Sequence, residues 1–340
     1  MAGVLAMLSL VLIAAEAGAM GLLAGFALAV LPVPVYVGFA LWLDRFEAEP
    51  AHLLVRAFAW GAVVAFPVSL LLNTLAELLT GSELAGAIVA APLTEEIGKG
   101  FVLLLLFVQQ PDEFDNVTDG VVYALMVGLG FAMTENVLIY GLALADGSTT
   151  STFVLRGVIA PFAHPLFTAM IGIGLGVARE TTRREIRPLA VIGGLAAAVA
   201  LHALWNLSAR FDLWFGVVYL GVMAPAFAAV LITVRRSLLR ESEIIHRFLA
   251  PLVASGELPE DELRALCTIR ARLRKSWRAL LSHGSERWLE RRELHQAASE
   301  LAFHRWRVSR GISAGQERDA TRDAEYQARL CELVRRCEER

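Results

Sequence analysis

Lysine is almost missing from this 340-residue chain: Lys99 and Lys275 stand against 29 arginines. That bias, with abundant alanine, points to a high-GC bacterial genome. Cysteine is absent before Cys267, and Cys267, Cys331 and Cys337 have no metal-ligand spacing. A disulfide-framed domain and a zinc-ribbon fold are therefore excluded, and the three thiols read as reduced cytosolic cysteines. No Walker sequence, Gly-x-Ser-x-Gly elbow or His-Glu-x-x-His helix occurs. Charge is scarce where it matters most: residues 1–234 carry 9 Lys/Arg and 17 Asp/Glu, whereas 235–340 carry 22 and 17.

What fills the first two-thirds is apolar sequence. The chain is 56% hydrophobic with a mean hydropathy of +0.55, outside the range of soluble domains. Apolar runs lie near 20–43 (broken at Pro32-Val33-Pro34), 54–79, 84–108, 119–145, 153–178, 188–209 and 212–234. At 1.5 Å per residue each crosses about 30 Å of hydrocarbon. The expected fold is all-α: a polytopic bundle of seven transmembrane helices, or eight with the segment 2–15, followed by a cytosolic helical tail. The segment 1–19 reads as an extra helix rather than a signal peptide, because no basic residue precedes it. Residues 20–236 form the membrane domain and 237–340 the tail.

Arginine placement orients the bundle. Arg179, Arg183, Arg184 and Arg187 follow the fifth of the seven runs, and Arg235, Arg236 and Arg240 follow the last, so both connections and the tail are expected in the cytoplasm. Arg45 and Arg56 agree. The protein is thus expected in the cell membrane.

Within this apolar domain, Pro92-Leu93-Thr94-Glu95-Glu96-Ile97-Gly98-Lys99-Gly100 puts three charges at mid-span. Each costs about 2.5–3.5 kcal/mol at the centre of a spanning helix, so they need partners. Three other runs supply candidates. Glu135 lies in Phe131-Ala132-Met133-Thr134-Glu135-Asn136, His164 between Pro161 and Pro165, and His202 four residues before Asn206. Counted from the midpoints of their runs, Glu95, Glu96, Glu135, His164 and His202 fall within roughly 6 Å of one plane. Independent helices had no need to agree, so this depth match points to one buried site.

Each residue also has a plainer reading. Glu95 and Lys99, four apart, make a favourable helical ion pair that locks packing, with Glu96 turned about 100° away. A lone membrane histidine is more often a hydrogen-bonded packer than a ligand. His202 and Asn206 could serve as interhelical glue. Asp119 is placed to cap the helix carrying Glu135, and Arg156, like Glu77 and Glu83, is close enough to a span end to snorkel. The shared depth favours the functional reading for the five central residues.

Glu95-Glu96-x-x-Lys99, Phe131-x-x-x-Glu135-Asn136, isolated His164 and His202-x-x-x-Asn206 resemble the four motifs of the PrsW family of intramembrane proteases, related to the CAAX-prenyl protease and bacteriocin-processing superfamily. Asp44-Arg45-Phe46-Glu47-Ala48-Glu49-Pro50 and Asp119-Gly120-Val121-Val122-Tyr123 also look like family features, and the resemblance covers about 20–234. It implies an intramembrane endopeptidase, a metallopeptidase by class, that cleaves a membrane-anchored protein such as an anti-sigma factor. CAAX proteases have histidine where Glu135 stands here. They work through a water activated by Glu and His without requiring a metal. Carboxylate and imidazole ligands together suit Zn²⁺ or another divalent metal.

On this reading Glu95 or Glu96 is the general base towards a water held by His164, with or without a metal. Glu96, Glu135, His164 and His202 are the candidate metal ligands, and Asn206 with His202 would supply donors to the oxyanion. Lys99, Asn136 and Asp119 support the site. The rival classes are an ion- or proton-coupled transporter using the same residues as a relay, and a non-catalytic membrane scaffold. In the tail, helices are expected from Pro259-Glu260 to about Ser282, from Ser285-Glu286, and from about Gln316 to the end. They form a small bundle or an Arg-rich surface for anionic lipid or a regulator; beyond charge, nothing indicates nucleic acid. Oligomeric state is not legible.

Overall fold

A computed structural model describes residues 2–44, 46, 48–311 and 315–338. Every regular element among them is helical. Helix α1 (Ala2–Val30) is interrupted at Gly18, whose φ of 71° only glycine adopts cheaply. The segment 2–15 therefore leads into the next run through a kink. The proline break appears as a turn at residues 31–32 before α2 (Val33–Leu43). Then come α3 (Ala51–Thr80), α4 (83–109), α5 (Val117–Asp146), α6 (149–159), α7 (Ala163–Glu180), α8 (Ile186–Ser208) and α9 (Leu213–Ala254).

Six helical stretches among the described residues are long and apolar enough to cross a membrane: Ile13–Leu43, Ala51–Thr80, Val117–Asp146, Thr149–Glu180, Ile186–Ser208 and Leu213–Ala254. The expected count was seven or eight. The run absent from the expected seven is α4, which is about 40 Å long but carries Glu95, Glu96 and Lys99 and so is not purely apolar.

Two local devices position the site helices. Asn116 and Asp119 form a reciprocal capping box at the start of α5. Asn116 Oδ1 accepts from the Thr118 and Asp119 amides, and Asp119 Oδ2 accepts from those of Asp115 and Asn116. In α4 the turn Gly86–Ala90 is π-helical, with the Ala91 amide reaching back to the Gly86 carbonyl. The next amide in that register would bond Ala87 O, but residue 92 is proline and has none. The Asn206 side chain on α8 fills the gap, donating to Ala87 O at 2.8 Å.

The chain divides into two units: residues 1–44 with 49–234, and 45–48 with 235–340. In the first, α5 is the buried central helix, packed against α7, α1 and α3. Backbones meet where side chains vanish. A Cβ on Gly172 of α7 would stand 2.1 Å from the Gly120 carbonyl oxygen of α5, and one on Gly128 would stand 2.7 Å from Pro165 Cα. The second contact seats the His164 turn directly on α5. The loop before α3 is tied down as well: Asp44 Oδ2 accepts the Glu49 amide at 2.7 Å, and Tyr123 Oη donates to Glu49. Arg45 and Glu47, expected in this loop, lie outside the described residues.

The second unit holds the later part of α9, α10 (Glu260–Leu266), α11 (Ile269–Ser309) and α12 (Gln316–Glu338). The first expected tail helix is split at residues 267–268. The second begins where Gly284, at φ 80°, kinks α11. Arg272 is buried, donating to the carbonyls of Leu266 and Phe46 at 2.6 and 3.0 Å and to Ser299 Oγ at 3.2 Å, and burial lowers its pKa to about 10. Burial, then the positive charges of Arg272, Arg291, Lys275 and Arg292, hold His295 far below its ordinary value, at about 2.

Two outcomes follow from this packing. Gly172→Ala should lower stability by about 1–3 kcal/mol by forcing α7 off α5, read as a lower Tm in detergent. The tail should lose stability as pH falls below about 6.5, because its unfolded chain binds a proton on His295 that the fold refuses until about pH 2. Hydrogen exchange in α11 should report that loss, and His295→Leu should flatten it.

Candidate active site

Four helices, α4, α5, α7 and α8, bring the mid-span polar residues together. Lys99 is at its centre and fully buried. Its Nζ lies 2.8 Å from Glu96 Oε1, 3.5 Å from Glu95 Oε2 and 3.0 Å from His164 Nδ1, and 3.8 Å above the Phe131 ring. The helical spacing favoured a Glu95–Lys99 pair, yet the shorter contact is with Glu96. Glu96 is also fully buried; its Oε1 receives His202 Nδ1 at 3.0 Å, and its Oε2 lies 3.2 Å from Thr168 Oγ1.

The bonds decide the imidazole tautomers. An ionised carboxylate only accepts, so the nitrogen facing it carries the proton. His202 therefore donates through Nδ1 to Glu96, which leaves the Nε2 lone pair free to bind. His164 donates through Nε2 to Glu135 Oε2 at 2.9 Å, and its Nδ1 lone pair accepts from Lys99. The other nitrogen of each ring turns towards one side chain, beyond hydrogen-bond distance: Glu95 Oε2 is 3.9 Å from His164 Nδ1 and 3.8 Å from His202 Nε2. The rings stand nearly perpendicular, with centroids 5.1 Å apart, and Phe167 stacks on His202 at 4.9 Å.

Glu95, His164 and His202 thus form a buried group whose ligand atoms all lie within 4.8 Å of one another. Two imidazoles and a carboxylate are a donor set that suits zinc, and each imidazole is oriented by a second carboxylate on its other nitrogen. The residues therefore fit a divalent metal. Of the four ligands expected from the sequence, His164 and His202 are in this group; Glu96 and Glu135 stand behind them as hydrogen-bond acceptors, and Glu95 takes the facing position.

Two participants were missed. Arg156, read as snorkelling, turns inward: Nε donates to Asn136 Oδ1 at 2.6 Å and Nη2 to Glu135 Oε2. The opposite sign of Glu135 and the break at Pro161 were the available signals. Thr168 lies one turn after His164, on the same face, and that spacing could have found it. Beside His164 is a cavity of about 20 Å³ lined by Asn136, Arg156, Pro161, Ala163 and Trp205 among others, room for a single water. Asn206 is not at this cavity's wall; it holds Ala87 O. Asp119 sits in the capping box at the far end of α5.

The PrsW-protease model, described as PrsW family intramembrane metalloprotease, matches residues 49–230, more than half of the chain. The chain belongs to the PrsW family. Its curated relatives include the Protease PrsW of Geobacillus kaustophilus, 36% identical over 143 residues, which are 42% of this chain and 61% of the relative. The Protease PrsW of Bacillus subtilis is 32% identical over 137 residues, 40% of this chain and 60% of that protein. That of Oceanobacillus iheyensis is 31% identical over 167 residues, 49% and 74% respectively. The matched stretch thus spans about three-fifths of two of these relatives. No solved structure matches. The region matched by the family model contains all four site helices and ends before the tail.

The central ion pair should be indispensable to folding of this PrsW-family bundle. Lys99→Met leaves Glu96 charged and buried and should cost about 3–5 kcal/mol. Adding Glu96→Gln should restore part of that loss, because no charge is then stranded. Thermal unfolding of the purified variants in detergent measures both.

Proposed function

We propose that this chain is an intramembrane endopeptidase that hydrolyses a peptide bond of a membrane-anchored protein, an anti-sigma factor being the substrate type that the family resemblance implies. The observation that carries the reading is the convergence of Glu95 with two imidazole nitrogens, His164 Nδ1 and His202 Nε2. Family membership and the relatives named Protease PrsW support it.

Glu95, His164 and His202 would hold the metal, and zinc suits a two-histidine, one-carboxylate set with an open position for water. Bound there, a divalent ion supplies Lewis acidity towards water and the scissile carbonyl. The chain's own residues do the rest. Glu96 and Glu135 keep His202 and His164 in the tautomers that face inward. Lys99 compensates the carboxylates where no water can and lies 3.0 Å from His164 Nδ1, the nitrogen that would also hold a metal. Arg156 spends two of its five N–H groups on Asn136 and Glu135. Arg156 also lines the water-sized cavity, and its remaining donors would serve the oxyanion, a role expected from the sequence for Asn206 with His202. Asn206 is a positioning residue: by holding the π-turn of α4 it sets the direction of Glu95. Arginine placement supports a bundle in the cell membrane with the tail in the cytoplasm.

Glu95→Gln tests the assignment on a membrane-anchored anti-sigma factor co-reconstituted with the enzyme, alongside metal analysis. Loss of cleavage with metal retained makes Glu95 the base; loss of both makes it a ligand. Cleavage at the wild-type rate with Gln at 95 would sink the proposal. Arg156→Gln should lower kcat by about 10²–10³, the usual cost of an oxyanion donor, with metal content unchanged.

A further inference from the structure

The tail carries a surface that the protease reading does not use. From Leu263 to Ser285 there is no acidic residue, while Arg264, Arg270, Arg272, Arg274, Lys275 and Arg278 are all basic. The first half of α11, from Ile269 to the kink at Gly284, sorts these by face. Arg272 and Ser276 turn into the core, and Lys275 pairs with Asp261 and Glu262. The opposite face consists of two adjacent rows at four-residue spacing. Leu273, Trp277 and Leu281 are 46, 58 and 82% exposed, and the exposed Arg270, Arg274 and Arg278 run beside them.

Most of the tail's other inward or flanking bases are engaged. Arg287, Arg291, Arg305 and Arg329 each meet a carboxylate. Among the described residues, the side chains of Arg270, Arg274 and Arg278 meet none. An unpaired basic row beside an exposed Leu-Trp-Leu row fits a surface that is anionic at one level and apolar a few ångströms deeper. A bilayer interface has that layering: tryptophan and leucine seat at the acyl boundary while arginine reaches back to phosphate. A nucleic acid would have no use for the apolar row. The segment is also tethered to the membrane, since α9 runs from the bundle into the tail without a break.

We propose that the 269–283 segment of α11 is an interfacial helix that docks the tail on anionic lipid headgroups through Arg270, Arg274 and Arg278, with Leu273, Trp277 and Leu281 inserted. Occupancy of this surface is then set by the phosphate density of the leaflet.

The test uses the full chain with Cys267, Cys331 and Cys337 replaced by serine and a nitroxide on Leu281→Cys. It is reconstituted in phosphatidylcholine vesicles or in an equal mixture with phosphatidylglycerol. In the mixture the nitroxide should become accessible to oxygen and shielded from a water-soluble nickel chelate. High salt should reverse this, and Arg270→Gln/Arg274→Gln/Arg278→Gln should weaken docking by roughly a hundredfold, at the usual strength of three surface charges. The triple variant breaks no ion pair inside the fold, so its Tm and helix content should match the parent; hydrogen exchange over 269–283 gives the same reading without the label. A nitroxide equally open to the chelate in both vesicles overturns the proposal. So does shielding in both with short nitroxide–nitroxide distances, which would assign the face to a second copy, or shielding that appears only when a soluble protein or nucleic acid is added.

Discussion

An ammonium with no access to water is the constraint around which the membrane bundle is built. Lys99 cannot be neutralised by solvent, so it must be surrounded, and the helix that carries it provides two carboxylates within one turn. Those carboxylates bring their own demands. Glu96 must be satisfied by His202 and Thr168, and Glu95 must face something that tolerates a charge. The polar network therefore extends from one helix to three others, and each extension restricts how the helices pack. Glu135, at 21% side-chain exposure, is balanced at the rim by Arg156.

The network also explains why the imidazoles are useful. A histidine in an apolar bundle would ordinarily choose its tautomer by whichever partner lies nearest. Here two carboxylates make the choice, and both leave the lone pair pointing at the same place. Orientation by a second carboxylate is the familiar way to prepare a histidine for a metal or for an activated water. The π-turn before Pro92 belongs to the same design. A missing amide frees a carbonyl, Asn206 takes it, and the helix of Glu95 is pinned to the helix of His202.

Close backbone contact supplies the precision. The glycines of α5 and α7 remove the side chains that would keep these helices apart, so Glu135 and His164 meet within hydrogen-bond distance. The tail follows different rules. Its core closes over Arg272 and His295. One face of α11 is left basic and apolar, a surface of the kind that a bilayer satisfies.

The helical class, the contrast between apolar sequence and charged tail, and the matched helical positions of Glu95, Glu96, Glu135, His164 and His202 were legible in the chain alone. They depend on helical rise and hydropathy, which are local. The order of the motifs carried the family as well. What only the tertiary structure decided is direction. Spacing along α4 could say that Glu95 and Glu96 diverge by about 100°, but not which would meet Lys99 and which would face the imidazoles, because that depends on where α7 and α8 lie. The same holds for Arg156, whose side chain is long enough to reach either the membrane surface or Glu135, and for Asn206, whose partner is a carbonyl freed by a proline more than a hundred residues away. The Glu95-Glu96 stretch thus marked a buried polar cluster by its cost in hydrocarbon, while the neighbouring helices decided which partners each carboxylate meets.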